Sequence, residues 1–183
     1  MRGVSIVLFS IMFSFVAWSA FAEVPKKTEP LFYIERSRNK NVVQYDARVT
    51  ESRDLPDSNP VQAYWILENG RHEELNSIEK KYAYGIIRQE KLEQNKFKLN
   101  LAAFKGREIL VEKVKGFFRA VVPINGKQSV LQKIYVKSEE TAGLLPRVLY
   151  VDLIGKVVKT NLPVKERITP DRNVTRKTSS TDS

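Results

Sequence analysis

Apolar and polar positions alternate with a period of two through most of this chain. The pattern is first plain over residues 30–46, PLFYIERSRNKNVVQYD. An apolar run at 31–34 leads into a charged elbow at 35–41. A second run then sets Val43, Tyr45, Ala47 and Val49 against Gln44, Asp46, Arg48 and Thr50. This predicts two strands joined by a charged turn. A loop rich in Pro, Asp and Ser covers 51–60, and 61–68 (VQAYWILE) is the next strand. There Val61, Ala63, Trp65 and Leu67 share one face, while Tyr64 and Ile66 lie on the other. Asn69-Gly70 marks a tight turn, because both residues tolerate positive φ.

Residues 73–82 (EELNSIEKKY) break the alternation. Leu75, Ile78 and Tyr82 recur at helical spacing, with acids at the start and Lys80 and Lys81 at the end. A helix of about three turns is expected, one that must dock its stripe because short helices are not stable alone. Strands are then predicted at 84–92, 96–104, 108–114, 117–124, 129–137 and 147–154, with a weaker one at 157–162. Short joints such as Lys115-Gly116 and Asn125-Gly126 carry hairpin chemistry. Many short strands with hairpin connections and one helix predict an all-β fold. The expected form is an antiparallel meander closing into a soluble lipocalin-like barrel, with a β-sandwich as the alternative.

The N-terminus changes where this domain is expected to work. Arg2, an apolar stretch over 4–16 and Ala20-Phe21-Ala22 have the form of a cleavable signal peptide, 1–22. An exported chain, periplasmic or extracellular after cleavage near Ala22, follows from that. Residues 23–29 read as a flexible lead-in, 30–163 as a single β domain and 164–183 as a disordered tail. The chain has no cysteine, so disulfides, thiol catalysis and Cys-ligated metals are excluded and a hydrophobic core must hold the domain.

The net charge of +10 is unevenly spread. Residues 23–80 hold 9 Lys/Arg against 11 Asp/Glu, whereas 81–137 hold 13 against 4. That block suits an anionic envelope surface, membrane or cell wall, and equally suits lysines that keep strand edges soluble. Nucleic acid is not expected as a partner, and the strands are too lysine-rich for a membrane barrel.

Enzyme constellations are missing. His72 is the single histidine and sits beside a turn, phosphate-loop and nucleophile-elbow motifs do not occur, and no cofactor or metal is expected. The carboxylate pairs Glu73/Glu74 and Glu139/Glu140 read as solvated acids. The candidate ligand pocket is the aromatic set Tyr33, Tyr45, Tyr64, Trp65, Tyr82 and Tyr84, rings with polar tips that suit a barrel mouth. Arg36 and Arg38 of the elbow are candidate anion contacts.

The segments PLFYIERSRNKNVVQYD, NPVQAYWI, IEKKYAYG and VLQKIYVK together resemble a family of exported bacterial proteins described as a domain of unknown function. The resemblance spans roughly residues 30–153 and implies no activity. A weaker likeness is to lipocalin-type barrels, through the meander, the single helix and the export signal. The chain has no G-x-W at its first strand and no T-D-x-R-type motif later, so this likeness implies shape alone. The expectation is a non-enzymatic module for an amphipathic or anionic small molecule such as a fatty acid, or else a protein that sits on anionic envelope surfaces.

Overall fold

A computed structural model describes residues 27–104, 106–139 and 146–170. The elements are β1 (Lys27–Arg36), β2 (Val42–Val49), β3 (Val61–Ile66), β4 (His72–Glu74), α1 (Ser77–Tyr82) and β5 (Ile86–Glu93). They continue as β6 (Lys96–Leu101), β7 (Ile109–Val114), β8 (Phe117–Ile124), β9 (Lys127–Glu139), β10 (Arg147–Val157) and β11 (Pro163–Ile168). Nine strands in the order β4-β3-β2-β1-β9-β8-β7-β6-β5 curl into a half-barrel, and β10 and β11 continue from β9. Among the described residues the fold is all-β and barrel-like with one short helix.

The hairpins form where the turn residues predict. At Lys115-Gly116 and Asn125-Gly126 both central residues have positive φ, the geometry that matches the twist of the flanking strands. The sheet is nonetheless mixed. β1 lies parallel to β9, with Tyr33 opposite Lys133 and Arg36 opposite Val136. An antiparallel meander therefore does not describe the whole sheet, because hairpin signals report only on sequence neighbours. The thirteen-residue β9 is the hub. Its start pairs with β8, its middle with β1 and nearly its whole length with β10.

The two arms of the sheet bury a single core. Phe32, Val43, Tyr45, Ala47 and Trp65 from β1–β3 meet Phe97, Leu99, Val111, Ala120 and Val122 from β6–β8. Leu131, Ile134 and Leu153 close it. Tyr45 is fully buried and stacks on Phe32, ring centroids 4.5 Å apart and 10° from parallel. Leu31 is an extra residue between Pro30 and Phe32 in the β1–β2 register, a bulge that lets Leu31 and Phe32 both be buried.

Three boundaries differ from the expectation. First, α1 has six residues, because His72–Glu74 pairs with β3 as a strand. Asn76 is the true N-cap: its side chain accepts from the Glu79 N–H while the Glu79 carboxylate accepts from the Asn76 N–H. Of the predicted stripe, Leu75 is buried, but Ile78 and Tyr82 are 63% and 56% exposed. Second, order extends at both ends of the domain. β1 begins at Lys27, inside the supposed lead-in, and β11 occupies the start of the supposed tail. In β11 Val164, Glu166 and Ile168 are half-buried and alternate with exposed Pro163, Lys165 and Arg167. Third, the weak strand at 157–162 is a turn, closed by the Asn161 N–H donating to the Val157 carbonyl. The proposed signal peptide and residues 171–183 lie outside the described residues.

Candidate functional site

The period of two divides the six candidate aromatics between the two faces of the sheet. Tyr45 and Trp65 point into the core with Tyr84 against them. The Tyr45 hydroxyl donates to the Tyr84 carbonyl at 2.6 Å, and the Trp65 and Tyr84 rings meet edge-on at 5.2 Å. Burial first, and then the neighbouring Tyr84, push the Tyr45 phenol well above its usual range. Arg36 joins this group. Its guanidinium carbon lies 4.5 Å from the Trp65 ring centroid and 6.0 Å from that of Tyr84. Trp65 in turn donates through Nε1 to Glu79 of α1, 3.1 Å away. These side chains belong to or pack against the buried core cluster.

Tyr33 and Tyr64 lie on the opposite face, and Tyr82 stands exposed on α1 with Lys81 over its ring. Arg38 is in the exposed β1–β2 turn. The structure thus gathers Arg36, Tyr45, Trp65 and Tyr84, and separates Tyr33, Tyr64, Tyr82 and Arg38 from them.

A different concavity opens on the outer face. A groove of about 500 Å³ lies across β1–β4 and reaches α1, lined by Thr28, Arg48, Gln62, Tyr64, His72 and Lys80 together with the carboxylates Glu73 and Glu74. Strand register builds it: Thr28 is opposite Arg48, Asp46 opposite Gln62 and Tyr64 opposite Glu74. Tyr64 is fixed within it. Its hydroxyl donates to Asp46 Oδ2 at 2.8 Å, and its ring centroid lies 4.9 Å from that of His72. Asp46 is itself buried, and its other oxygen accepts from Gln44 Nε2 at 2.9 Å. Burial and then the Asp46 carboxylate push the Tyr64 phenol up to about 12.

The charges of the groove do not balance residue by residue. Lys80 pairs with Glu74 at 3.5 Å, and Glu73 pairs with Arg71. Arg48 forms no ion pair among the described residues, and its Nε is buried without a hydrogen-bond partner. A buried donor left unmatched is costly, about 1–3 kcal/mol. Sequence reasoning treated Arg48 as one polar position of a strand and His72 as a turn residue. The outward series Gln44, Asp46, Arg48 beside Gln62 and Tyr64 was the signal that marked this face.

Among the described residues no three His, Asp or Glu side chains are placed to hold a metal ion, and no helix is long and apolar enough to cross a membrane. Fold and groove together define the class: a barrel-like all-β domain with a packed interior and a polar groove on its outer sheet face. Within that class, the chain belongs to the family described as Domain of unknown function (DUF4833), whose model matches residues 32–167. Neither a curated protein nor a solved structure gives a match.

Proposed function

We propose that this chain is an exported, non-enzymatic binding module for a small polar anion, held in the groove on the outer face of β1–β4. One observation carries this reading: Arg48 lines the groove with a buried donor that no group among the described residues satisfies. A carboxylate or phosphate at that point would supply the missing acceptor and the opposite charge. Gln62, Thr28 and His72 add hydrogen-bonding groups along the wall. The packed core favours a polar anion over an acyl chain, since Tyr45, Phe97, Leu99 and Leu131 occupy the space a barrel lumen would offer.

The test is nuclear magnetic resonance titration of the isotope-labelled domain with inorganic phosphate, citrate and palmitate. The expected result is saturable shifts at Arg48, Gln62, Tyr64 and His72 with an anion of the first two kinds, abolished in Arg48→Ala. Shifts that persist unchanged in Arg48→Ala, or that appear only with palmitate and at core residues, would overturn the reading.

A further inference from the structure

The basic block is largely neutralised once the chain folds. Lys91 pairs with Asp57, Lys113 with Asp54, Lys133 with Glu35 and Arg107 with Glu166, all acids from outside the block. Arg88, Lys96, Lys98 and Arg119 pair with acids inside it. The cations without such partners are therefore more informative than the total.

Three of these lysines meet at one tip of the molecule. Lys127 follows the Asn125-Gly126 turn between β8 and β9, and Lys156 and Lys159 flank the turn between β10 and β11. The two turns are held side by side. Val157 is opposite Ser129, Lys156 is opposite Val130, and the Val158 N–H donates to the Gln128 carbonyl at 2.9 Å. All three lysines are exposed and form no ion pair among the described residues. Neither 125–130 nor 155–164 contains an acid. Glu166, which reaches the β8–β9 turn, is occupied by Arg107 at 2.7 Å and by the Asn125 N–H at 2.7 Å. Beside the lysines stands Leu162, 63% exposed in a turn closed by the Val157 N–H donating to the Leu162 carbonyl.

We infer that this tip docks on an anionic phospholipid surface, with Lys127, Lys156 and Lys159 against the headgroup phosphates and Leu162 entering the acyl boundary. The lysines give the sign of the partner, and the leucine selects among anionic partners. A polysaccharide or nucleic acid offers phosphates but no apolar layer to receive an exposed side chain, whereas a bilayer interface offers both. The turns are pinned by backbone hydrogen bonds, so little ordering is needed on contact. The inference uses no groove residue, and either reading can fail without the other.

The experiment is cosedimentation with phosphatidylcholine vesicles, with and without one-third phosphatidylglycerol. The wild-type chain should bind only the anionic vesicles, and should be released as salt approaches 1 M, where the Debye length falls to about 3 Å. Each lysine is expected to contribute roughly fivefold in partitioning. Lys127→Glu, Lys156→Glu and Lys159→Glu combined should then reduce binding by about a hundredfold or more, and Leu162→Ser should weaken what remains at intermediate salt. These side chains are exposed, at strand ends or in the β10–β11 turn, so circular dichroism should show the native fold throughout. Equal binding by the triple variant, equal binding to neutral vesicles, or loss with Lys115→Glu at the opposite end of β8 would overturn the inference. So would adhesion to cell-wall polysaccharide without adhesion to anionic vesicles.

Discussion

The Arg36 guanidinium carbon sits 4.5 Å from the centroid of the Trp65 ring, joining the end of β1 to β3 across the intervening β2. The Trp65 indole N–H then donates to Glu79, so the same ring also ties down α1. No residue of α1 is buried, which makes this bond, the Asn76 cap and the buried Leu75 its main anchors.

A double-mutant cycle between Arg36→Ala and Trp65→Phe should therefore report coupling of about 0.5–2 kcal/mol in urea unfolding, the range for cation–π contacts from exposed to desolvated sites. Additive single effects would show that the ring and the guanidinium are neighbours without attraction.

Tyr45→Phe should cost about 1–2 kcal/mol, because it removes one hydroxyl and leaves the half-buried Tyr84 carbonyl without this donor. Equilibrium unfolding measures it, and the fold should be retained because the ring still stacks on Phe32.

Alkaline pH should destabilise the fold in a window set by Tyr64 and Tyr45. Both phenols are raised from 10.0 in the folded state, Tyr64 to about 12 and the deeply buried Tyr45 well above its ordinary value. The folded chain holds these protons after the unfolded chain has released them. Their contribution to stability is thus complete below pH 10 and is lost as pH rises from there through the folded values. Tyr64→Phe should flatten the loss between pH 10 and 12 in thermal melts, leaving the part due to Tyr45.

At the acid end the carboxyl lowered most strongly is that of Asp152. Arg167 grips both of its oxygens at 2.7 and 2.8 Å, and Lys165 approaches at 2.8 Å. These partners, Arg167 first, hold the carboxyl well below its ordinary 3.8 against the opposing effect of burial. Its contribution is present above the unfolded value and is lost as pH falls towards the folded one. Asp152→Asn should show a lower melting temperature at pH 7 and a shallower decline below pH 4. Release of β11 should be the visible consequence, read as faster amide exchange at Val164 and Glu166.

Gly155→Ala should destabilise by about 1–3 kcal/mol, the usual cost of forcing an extra group into packed structure. A Cβ there would lie 2.3 Å from the Val130 carbonyl oxygen, at the point where the β9–β10 register shifts. Gly126→Ala meets no neighbour, so any cost there comes from its positive φ of 71° alone.

Much of this architecture could be read before folding was considered. The alternation of Val43, Tyr45 and Ala47 with Gln44, Asp46 and Arg48 determines which side of β2 is buried, because side chains on a strand point alternately to opposite faces. Asn-Gly and Lys-Gly pairs determine where hairpins close. The same rule already separates Tyr64 from Trp65, so a single pocket holding both was never compatible with one strand. What only tertiary structure decided is the pairing between elements distant in sequence. The parallel contact of β1 with β9 joins residues about a hundred positions apart, and no local preference encodes it. Nearer in sequence, the β2–β3 and β3–β4 pairings put Arg48, Tyr64 and His72 along one groove. Ion pairs, half of them to acids outside the block, match eight of its cations, and the fold sets Lys127, which has no such pair, beside Lys156 and Lys159 from another hairpin. Sequence determines the sign and face of each side chain; three-dimensional proximity determines which charges are already satisfied, and hence which remain free to meet a partner.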